Sequence, residues 1–215
     1  VFFHVDAVQS FGKLPLNPKQ WNIDLLSLSG HKIHGPKGIG ALYVRQGLQL
    51  SPLLVGGGQE QGLRSGTLNV PGIVGLAKAS KLAVQKQEEK AKEVSKWKQL
   101  FLKRVTDQLN GVKINGDATP DGSSPYIINL SFPGLKSEVI VHALEQRDCY
   151  VSSKSACSSK LEKPSRVLLD MGLTPYEALG AIRISMGFDT IEAELDKFTE
   201  ILISVIPSLQ KVVKG

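Results

Sequence analysis

Cysteine is scarce in this chain. Cys149 and Cys157 are its two cysteines in 215 residues, too few for a disulfide framework, so a cytoplasmic setting is expected. Aromatic residues make up 6% of the sequence, and no arginine-rich strip interleaved with them occurs. A net charge of +6 and a pI near 9.3 therefore do not read as a nucleic-acid face, and no direct nucleic-acid partner is expected. Long apolar runs are missing too. Lys, Glu, Ser or Pro interrupts each one before the roughly 18 residues that a membrane span requires, so no membrane partner is expected. No charged and then apolar leader opens the chain. Internal repeats, low-complexity tracts and a metal-ligand cluster are also absent from the pattern.

What is present reads as an ordinary globular protein, with 41% hydrophobic and 21% charged residues and enough length to bury a core. Charge is dense in the stretch from Gln85 to Glu93, where both signs alternate on a solvated helix. The opening Val1-Phe2-Phe3-His4-Val5 reads as an interior strand with no Met before it. The expectation is a chain whose upstream half lies elsewhere.

Short apolar runs at Val1 to Val5, Asp24 to Leu28 and Gly40 to Val44 predict strands of an α/β sheet buried on both faces. The run from Gly56 to Gly62 predicts a loop, and Pro71 suits the first turn of a helix. Helical spacing then continues to Asn110, with Val94, Trp97, Phe101, Val105 and Leu109 on one stripe and a bend expected near the charged stretch. Asn110-Gly111 supplies a stop. A boundary in the middle of this connection divides the chain into 1–90 and 91–215. Beyond it the pattern is α+β: strands at Tyr126 to Phe132, Cys149 to Ser152 and Ala181 to Ser185, and a helix at Ser137 to Gln146. A terminal helix follows, opened by Asp189 and Glu192 in a capping-box spacing and bent or ended by Pro207.

Two strand ends carry chemistry. The first delivers Asp6 and Gln9, the second Ser29, His31 and Lys32, and in open α/β sheets ligands sit beyond the carboxyl ends of strands. A carboxylate and a lysine in one pocket suit pyridoxal phosphate, which needs an amine for its aldehyde and an acid for its ring nitrogen. Spacing alone leaves open that Asp6 caps a helix and that Lys32 is a loop lysine. Cys157 sits among small polar residues with Lys154 and Lys160 nearby, a setting that favours the thiolate. Cys149, beside a charged turn, reads as a small buried hydrophobe. Arg183 lies in a strand, where a structural ion pair at the strand end is the plain reading of the residue alone.

Ser29-Gly30-His31-Lys32-Ile33-His34-Gly35-Pro36-Lys37-Gly38-Ile39-Gly40 resembles the cofactor-lysine segment of the cysteine desulfurases, class V members of the fold-type I aminotransferases. His4-Val5-Asp6-Ala7-Val8-Gln9 resembles their pyridine-binding segment, and Ser152 to Lys160 their active-site cysteine loop, with Lys154 where Gly is frequent. The resemblance implies part of a mostly parallel-sheet large domain in 1–90 and a small α+β domain in 91–215. It implies that Asp6 pairs with the ring nitrogen, Gln9 with the phenolic oxygen, and Ser29 and His31 with the phosphate, while Lys32 is the Schiff-base lysine. Gly62-Leu63-Arg64-Ser65-Gly66-Thr67 also matches, and Thr67 would reach the phosphate of a neighbouring subunit, which implies a homodimer. Arg183 would clamp the substrate carboxylate. His34, where the family commonly has Tyr, is assigned no role, and Lys37 after Gly35-Pro36 is assigned to a turn.

The activity so implied converts L-cysteine to L-alanine, leaving a persulfide on Cys157 for an acceptor such as an iron–sulfur scaffold or a tRNA-thiolating enzyme. The aromatic residue that stacks on the ring, the asparagine that contacts the cofactor and the N-terminal phosphate-binding turn lie upstream in the family, so the isolated chain is expected to be inactive. A selenocysteine lyase or other class V enzyme, a non-catalytic sulfur-partner docking module and a basic RNA-associated domain are the rival readings.

Overall fold

The computed structural model describes residues 1–120, 122–153 and 164–214 and divides into two compact units, Val1–Lys90 and Ala91–Gly215.

In the first unit three short strands form one sheet in the order β1 (His4–Asp6), β2 (Leu25–Ser29), β3 (Gly40–Val44). β1 runs parallel to β2, with Asp6 opposite Ser27, whereas β3 returns antiparallel, with Gly40 opposite Ser29. The parallel pair needs a crossover, and 7–24 supplies it as successive turns. Phe11 and Leu16 from that crossover pack with Ala7, Ile23 and Leu26 under one face of the sheet. The other face carries His4, Asp6, Ser27 and Ser29, because alternate residues point the same way.

The expected two-sided burial is therefore corrected. Val1, Phe2 and Phe3 are exposed, and the strand begins at His4. Asp24 fixes this start. It is 5% exposed, accepts the Phe3 N–H at 2.7 Å, and pairs with Arg45 at 2.8 Å.

Between β2 and β3 the chain makes a 3-10 turn, Gly30–Ile33, that carries Lys32. His34 ends it in the left-handed region at φ 61°. Two glycines allow close backbone packing here. A Cβ on Gly40 would lie 2.5 Å from the Leu28 carbonyl oxygen, and one on Gly35 would lie 2.9 Å from the Gly30 oxygen and 3.2 Å from the Ala79 Cβ.

Helix α1, Val70–Gln108, is a single helix of 39 residues. Asn69 caps it by accepting the Gly72 N–H at 3.1 Å, which satisfies one of the first-turn donors.

In the second unit β4 (Lys113–Ile114), β5 (Ile127–Ser131) and β6 (Ala181–Ser185) form an antiparallel sheet in that order. One face, with Ile128, Leu130, Ile182 and Ile184, joins Phe101 and Val105 of α1, Ile140 and Leu144 of α2 (Ser137–Glu145), and Leu202 and Ile206 of α5 (Glu192–Lys214) in one core. Two short helices, α3 (Arg166–Asp170) and α4 (Pro175–Leu179), add a smaller cluster around Leu168 and Leu173.

Three local expectations change. Cys149 to Ser152 forms no strand; only Ser152 pairs, as an isolated antiparallel bridge to Arg183. Cys149 packs against the core, half-buried, and burial pushes its thiol above the usual range. Of the two effects expected of Pro207, ending the last helix does not occur, since the helix runs on to Lys214. At its start Glu194, rather than Glu192, reaches back to a backbone N–H, that of Ile191, at 3.2 Å. The complete capping box lies instead at Thr174 and Glu177.

Candidate active site

Because β1 and β2 are parallel neighbours, both present their C-terminal ends at one edge of the first sheet. Asp6 closes β1, Ser29 closes β2, and the turn directly after β2 holds His31 and half-buried Lys32. Asp6 uses one carboxylate oxygen to accept the Val8 N–H at 3.0 Å, an Asx turn that leaves the other oxygen unpaired among the described residues. Ser29 Oγ and His31 Nδ1 lie 2.7 Å apart. Gln9 is exposed one turn beyond Asp6.

Lys32 is placed by backbone rather than by side-chain partners. The Gly30 N–H donates to the Ile39 oxygen at 2.9 Å, and the Gly35 N–H to the Gly30 oxygen at 2.8 Å. These two bonds close the segment around the lysine. Its amine makes no hydrogen bond or ion pair with any described residue.

Lys13 is a neighbour that sequence reasoning missed. The turns after β1 bring it close enough to Lys32 to feel that charge, and burial first, then Lys32, hold its ammonium below the usual lysine range. The Gly12-Lys13 pair gives no signal of this, since the approach depends on the path of the crossover. His4 was likewise unassigned; its Nε2 lies 2.8 Å from Ser27 Oγ on the polar face.

The glycine-rich segment ahead of α1 closes on itself. Gln59 Oε1 accepts the Gly66 N–H at 3.0 Å, and the Ser65 N–H donates to the Leu54 oxygen at 3.2 Å. Thr67 follows this closure with its side chain exposed, before the Asn69 cap.

In the second unit Arg183 is half-buried in the middle of β6. Its Nη2 lies 3.5 Å from Ser152 Oγ, and its Nε is shut off from solvent with no hydrogen-bond partner among the described residues. Cys157 and Lys154 lie outside the described residues. Among the described residues no group of His, Cys, Asp and Glu could hold a metal ion, and no helix is long and apolar enough to cross a membrane.

The donor set fits pyridoxal phosphate. An acceptor oxygen on Asp6, the Gln9 amide, the Thr67 hydroxyl and the Lys32 amine all lack protein partners among the described residues, and these are the groups such a cofactor would engage.

Known proteins give the same outline. Residues 1–198 match the family model of the class V aminotransferases. A cysteine desulfurase of Trichormus azollae is 44% identical over 209 residues, which are 97% of this chain and 52% of that protein. A solved structure named as a NifS-like protein superposes with a TM-score of 0.83 at 38% identity, covering 97% of this chain and 53% of the other. A structure of SspA in complex with cysteine, also 38% identical, covers 86% of this chain and 50% of its own, with a TM-score of 0.64. The chain thus spans about half the length of the relatives it matches. Its α/β architecture is that of part of a fold-type I transferase, and the chain belongs to the class V aminotransferase family.

Proposed function

We propose that the protein is a pyridoxal-phosphate-dependent cysteine desulfurase, converting L-cysteine to L-alanine and passing the sulfur through a persulfide on Cys157. The observation that carries this reading is Lys32. Lys32 is half-buried beyond the end of β2, and among the described residues its amine has no acceptor and one oxygen of Asp6, at the same end of the sheet, has no partner. Residues 1–90 are assigned to the cofactor-binding domain and 91–215 to the small domain.

When bound, the cofactor supplies an electrophilic aldehyde and an electron-accepting ring. Asp6 holds a proton on the ring nitrogen, and Gln9 hydrogen-bonds the phenolic oxygen. Ser29 and His31 bind the phosphate from one subunit, and Thr67 binds that of its neighbour in a homodimer. Arg183 receives the carboxylate of L-cysteine as a two-pronged donor. Lys32, once free as an amine, takes and returns the α-proton, a role that needs a lysine without a competing acid.

Cys157 Sγ, as thiolate, attacks the sulfur of the substrate. The new bond is S–S, the bond broken is Cβ–S, and its electron pair stays on carbon until a proton arrives to give L-alanine. The persulfide then passes to a sulfur-accepting protein. Class V relatives named as cysteine desulfurases, and the SspA structure with cysteine, support this substrate.

The test is peptide mass spectrometry of the full-length protein after incubation with pyridoxal phosphate and L-cysteine. Extra sulfur on Cys157 that disappears in Lys32→Ala is the expected result. Bound cofactor with no sulfur on Cys157 would move the assignment to carbon chemistry within the same family.

A further inference from the structure

The polar face of the second sheet bears one row of side chains across four backbone segments: Asn115, Asn129, Arg183 and Ser152. The register sets it. Asn129 lies directly opposite Arg183 in the β5–β6 pair. The Met186 N–H donates to the Tyr126 oxygen and the Phe132 N–H to the Gly180 oxygen. Narrow and wide pairs alternate in an antiparallel ladder, so Asn129 and Arg183 form a wide pair, the kind in which side chains come closest. The backbone groups of Arg183 therefore point outward, where they exchange hydrogen bonds with Ser152 at 2.7 and 3.0 Å.

On its other side Asn129 is held by Asn115. Asn115 Nδ2 donates to Asn129 Oδ1 at 2.6 Å and to Ser131 Oγ at 2.8 Å, and the Asn115 N–H donates to the Asn129 oxygen at 2.9 Å. Asn115 Oδ1 is left buried and without a hydrogen-bond partner among the described residues. The amide of Asn115 is thus committed to Asn129 and Ser131 at the expense of its own carbonyl.

This arrangement turns the Asn129 oxygen to Asn115 and leaves its NH2 without an acceptor among the described residues. Arg183 offers only donors, and its buried Nε has no acceptor among the described residues. Two donor groups side by side cannot satisfy each other. A group with two acceptor oxygens satisfies both at once. We infer that Asn129 is a second binding residue for the carboxylate of the substrate, donating from Nδ2 beside Arg183, with Asn115 as the positioning residue that fixes its amide.

The inference rests on the assignment of Arg183 to the substrate carboxylate. It makes the row a recognition element for an α-amino acid as opposed to a bare thiol. It also adds a neutral donor to the charged one, so binding depends on the orientation of the carboxylate as well as its charge.

The experiment uses the full-length protein with its cofactor. It measures KM for L-cysteine and, by titration calorimetry, Kd for L-alanine, which carries the same carboxylate but no sulfur. Asn129→Ala is expected to raise both constants about tenfold, the order expected for one lost hydrogen bond to a charged group, and kcat is expected to change less than KM. In an Arg183→Lys background the same substitution is expected to cost less, because the two residues share one ligand. Asn129→Asp keeps the shape but places an acceptor opposite Arg183, and it is expected to raise KM further than Asn129→Ala. That isosteric variant decides the matter if Asn129→Ala does not fold. Unchanged KM and Kd in the Asn129 variants, with both raised in Arg183→Lys, overturn the inference alone. Unchanged constants in Arg183→Lys overturn the carboxylate assignment of Arg183 and this inference with it.

Discussion

Ser152 and Arg183 exchange both of their backbone hydrogen bonds, at 2.7 and 3.0 Å, while their side chains meet at only 3.5 Å. The backbone pair is strong and the side-chain contact is at the limit of a hydrogen bond. Ser152→Pro removes one of the two bonds and is expected to lower stability by about 1 kcal/mol or more. Ser152→Ala should fall within about 0.5 kcal/mol of the parent. Urea unfolding of the two variants separates these outcomes; equal losses would show that the side chain matters as much as the backbone.

The proposed roles of Lys32 and Cys157 separate in two variants of the full-length protein. Lys32→Ala should lose the proton transfer, with turnover falling by about a hundredfold or more. Cys157→Ser should keep the visible absorbance of bound cofactor but form no persulfide. Absorbance and peptide mass are read on the same samples, and sulfur transfer by Cys157→Ser would remove that residue from the mechanism.

Glu177 gives an acid-sensitive element outside the candidate site. Hydrogen bonding from Lys113 at 2.9 Å, then from the Thr174 N–H and hydroxyl, lowers its pKa to about 2. Its folded-state pKa lies below the unfolded value of about 4.3. The stability it contributes is therefore present above that unfolded value and is lost as the pH falls toward 2. Glu177→Gln should narrow the difference in stability between pH 6 and pH 3, as measured by denaturant titration at both. Thr174→Ala should cost about 1 kcal/mol at neutral pH through loss of the helix cap.

Neighbouring positions on α1 should respond very differently to truncation. Phe101 is 2% exposed and stacks on Phe198 with ring centroids 6.0 Å apart. Phe101→Ala is expected to cost about 3–5 kcal/mol. Leu100, one residue earlier and 47% exposed, should lose less than about 1 kcal/mol when replaced by Ala. Thermal or urea unfolding of both variants would show a cost for Leu100→Ala near that of Phe101→Ala if the helix faced the other way.

Lys98 contributes by tethering a loop. It is 5% exposed and donates to Ser123 Oγ at 2.7 Å and to the Ser124 oxygen at 3.0 Å. Burial, only partly offset by Asp117, lowers its pKa from the usual lysine value. Lys98→Met keeps the stem but loses both bonds, and a destabilisation of about 1–3 kcal/mol is expected. Unchanged unfolding of this variant would show that the tether adds nothing.

What the sequence revealed follows from the range of the forces involved. Strand β3 at Gly40–Val44 and β6 at Ala181–Ser185 match their apolar runs residue for residue, and α2 differs from its expected end by one residue. Such runs record the preference of apolar and β-branched side chains for extended backbone. That preference acts locally on each residue whether the strand is buried, as β6 largely is, or exposed to half-buried, as β3 is. Cys149 to Ser152 has the same apolar character, yet Ser152 alone pairs, because pairing depends on the register of a strand thirty residues away. Val1 to Phe3 failed for a related reason: apolar character indicates a tendency to be covered, not what covers it. The capping box at Thr174 and Glu177 is legible in its Thr-Pro-Tyr-Glu spacing, a stronger pattern than the one at Asp189. In the candidate site, Asp6, Ser29, His31 and Lys32 could be named from their motifs, and the parallel register brings them to one edge. The approach of Lys13 to Lys32 and the row from Asn115 to Ser152 could not be read, since both join segments far apart in the chain.

The glycines of the lysine segment have an evolutionary consequence. Gly35 and Gly40 are required by backbone oxygens and a helix side chain that leave no space for a methyl group, and neither contributes a reacting atom. Selection on folding alone would preserve them after selection on chemistry had lapsed. A descendant that had lost Lys32 would keep much of the Ser-Gly-His-Lys-Ile-His-Gly-Pro pattern and would still be grouped with its active cousins. Under the role proposed for Lys32, the lysine itself is the position that would separate working enzymes from retired ones in surveys of related genomes.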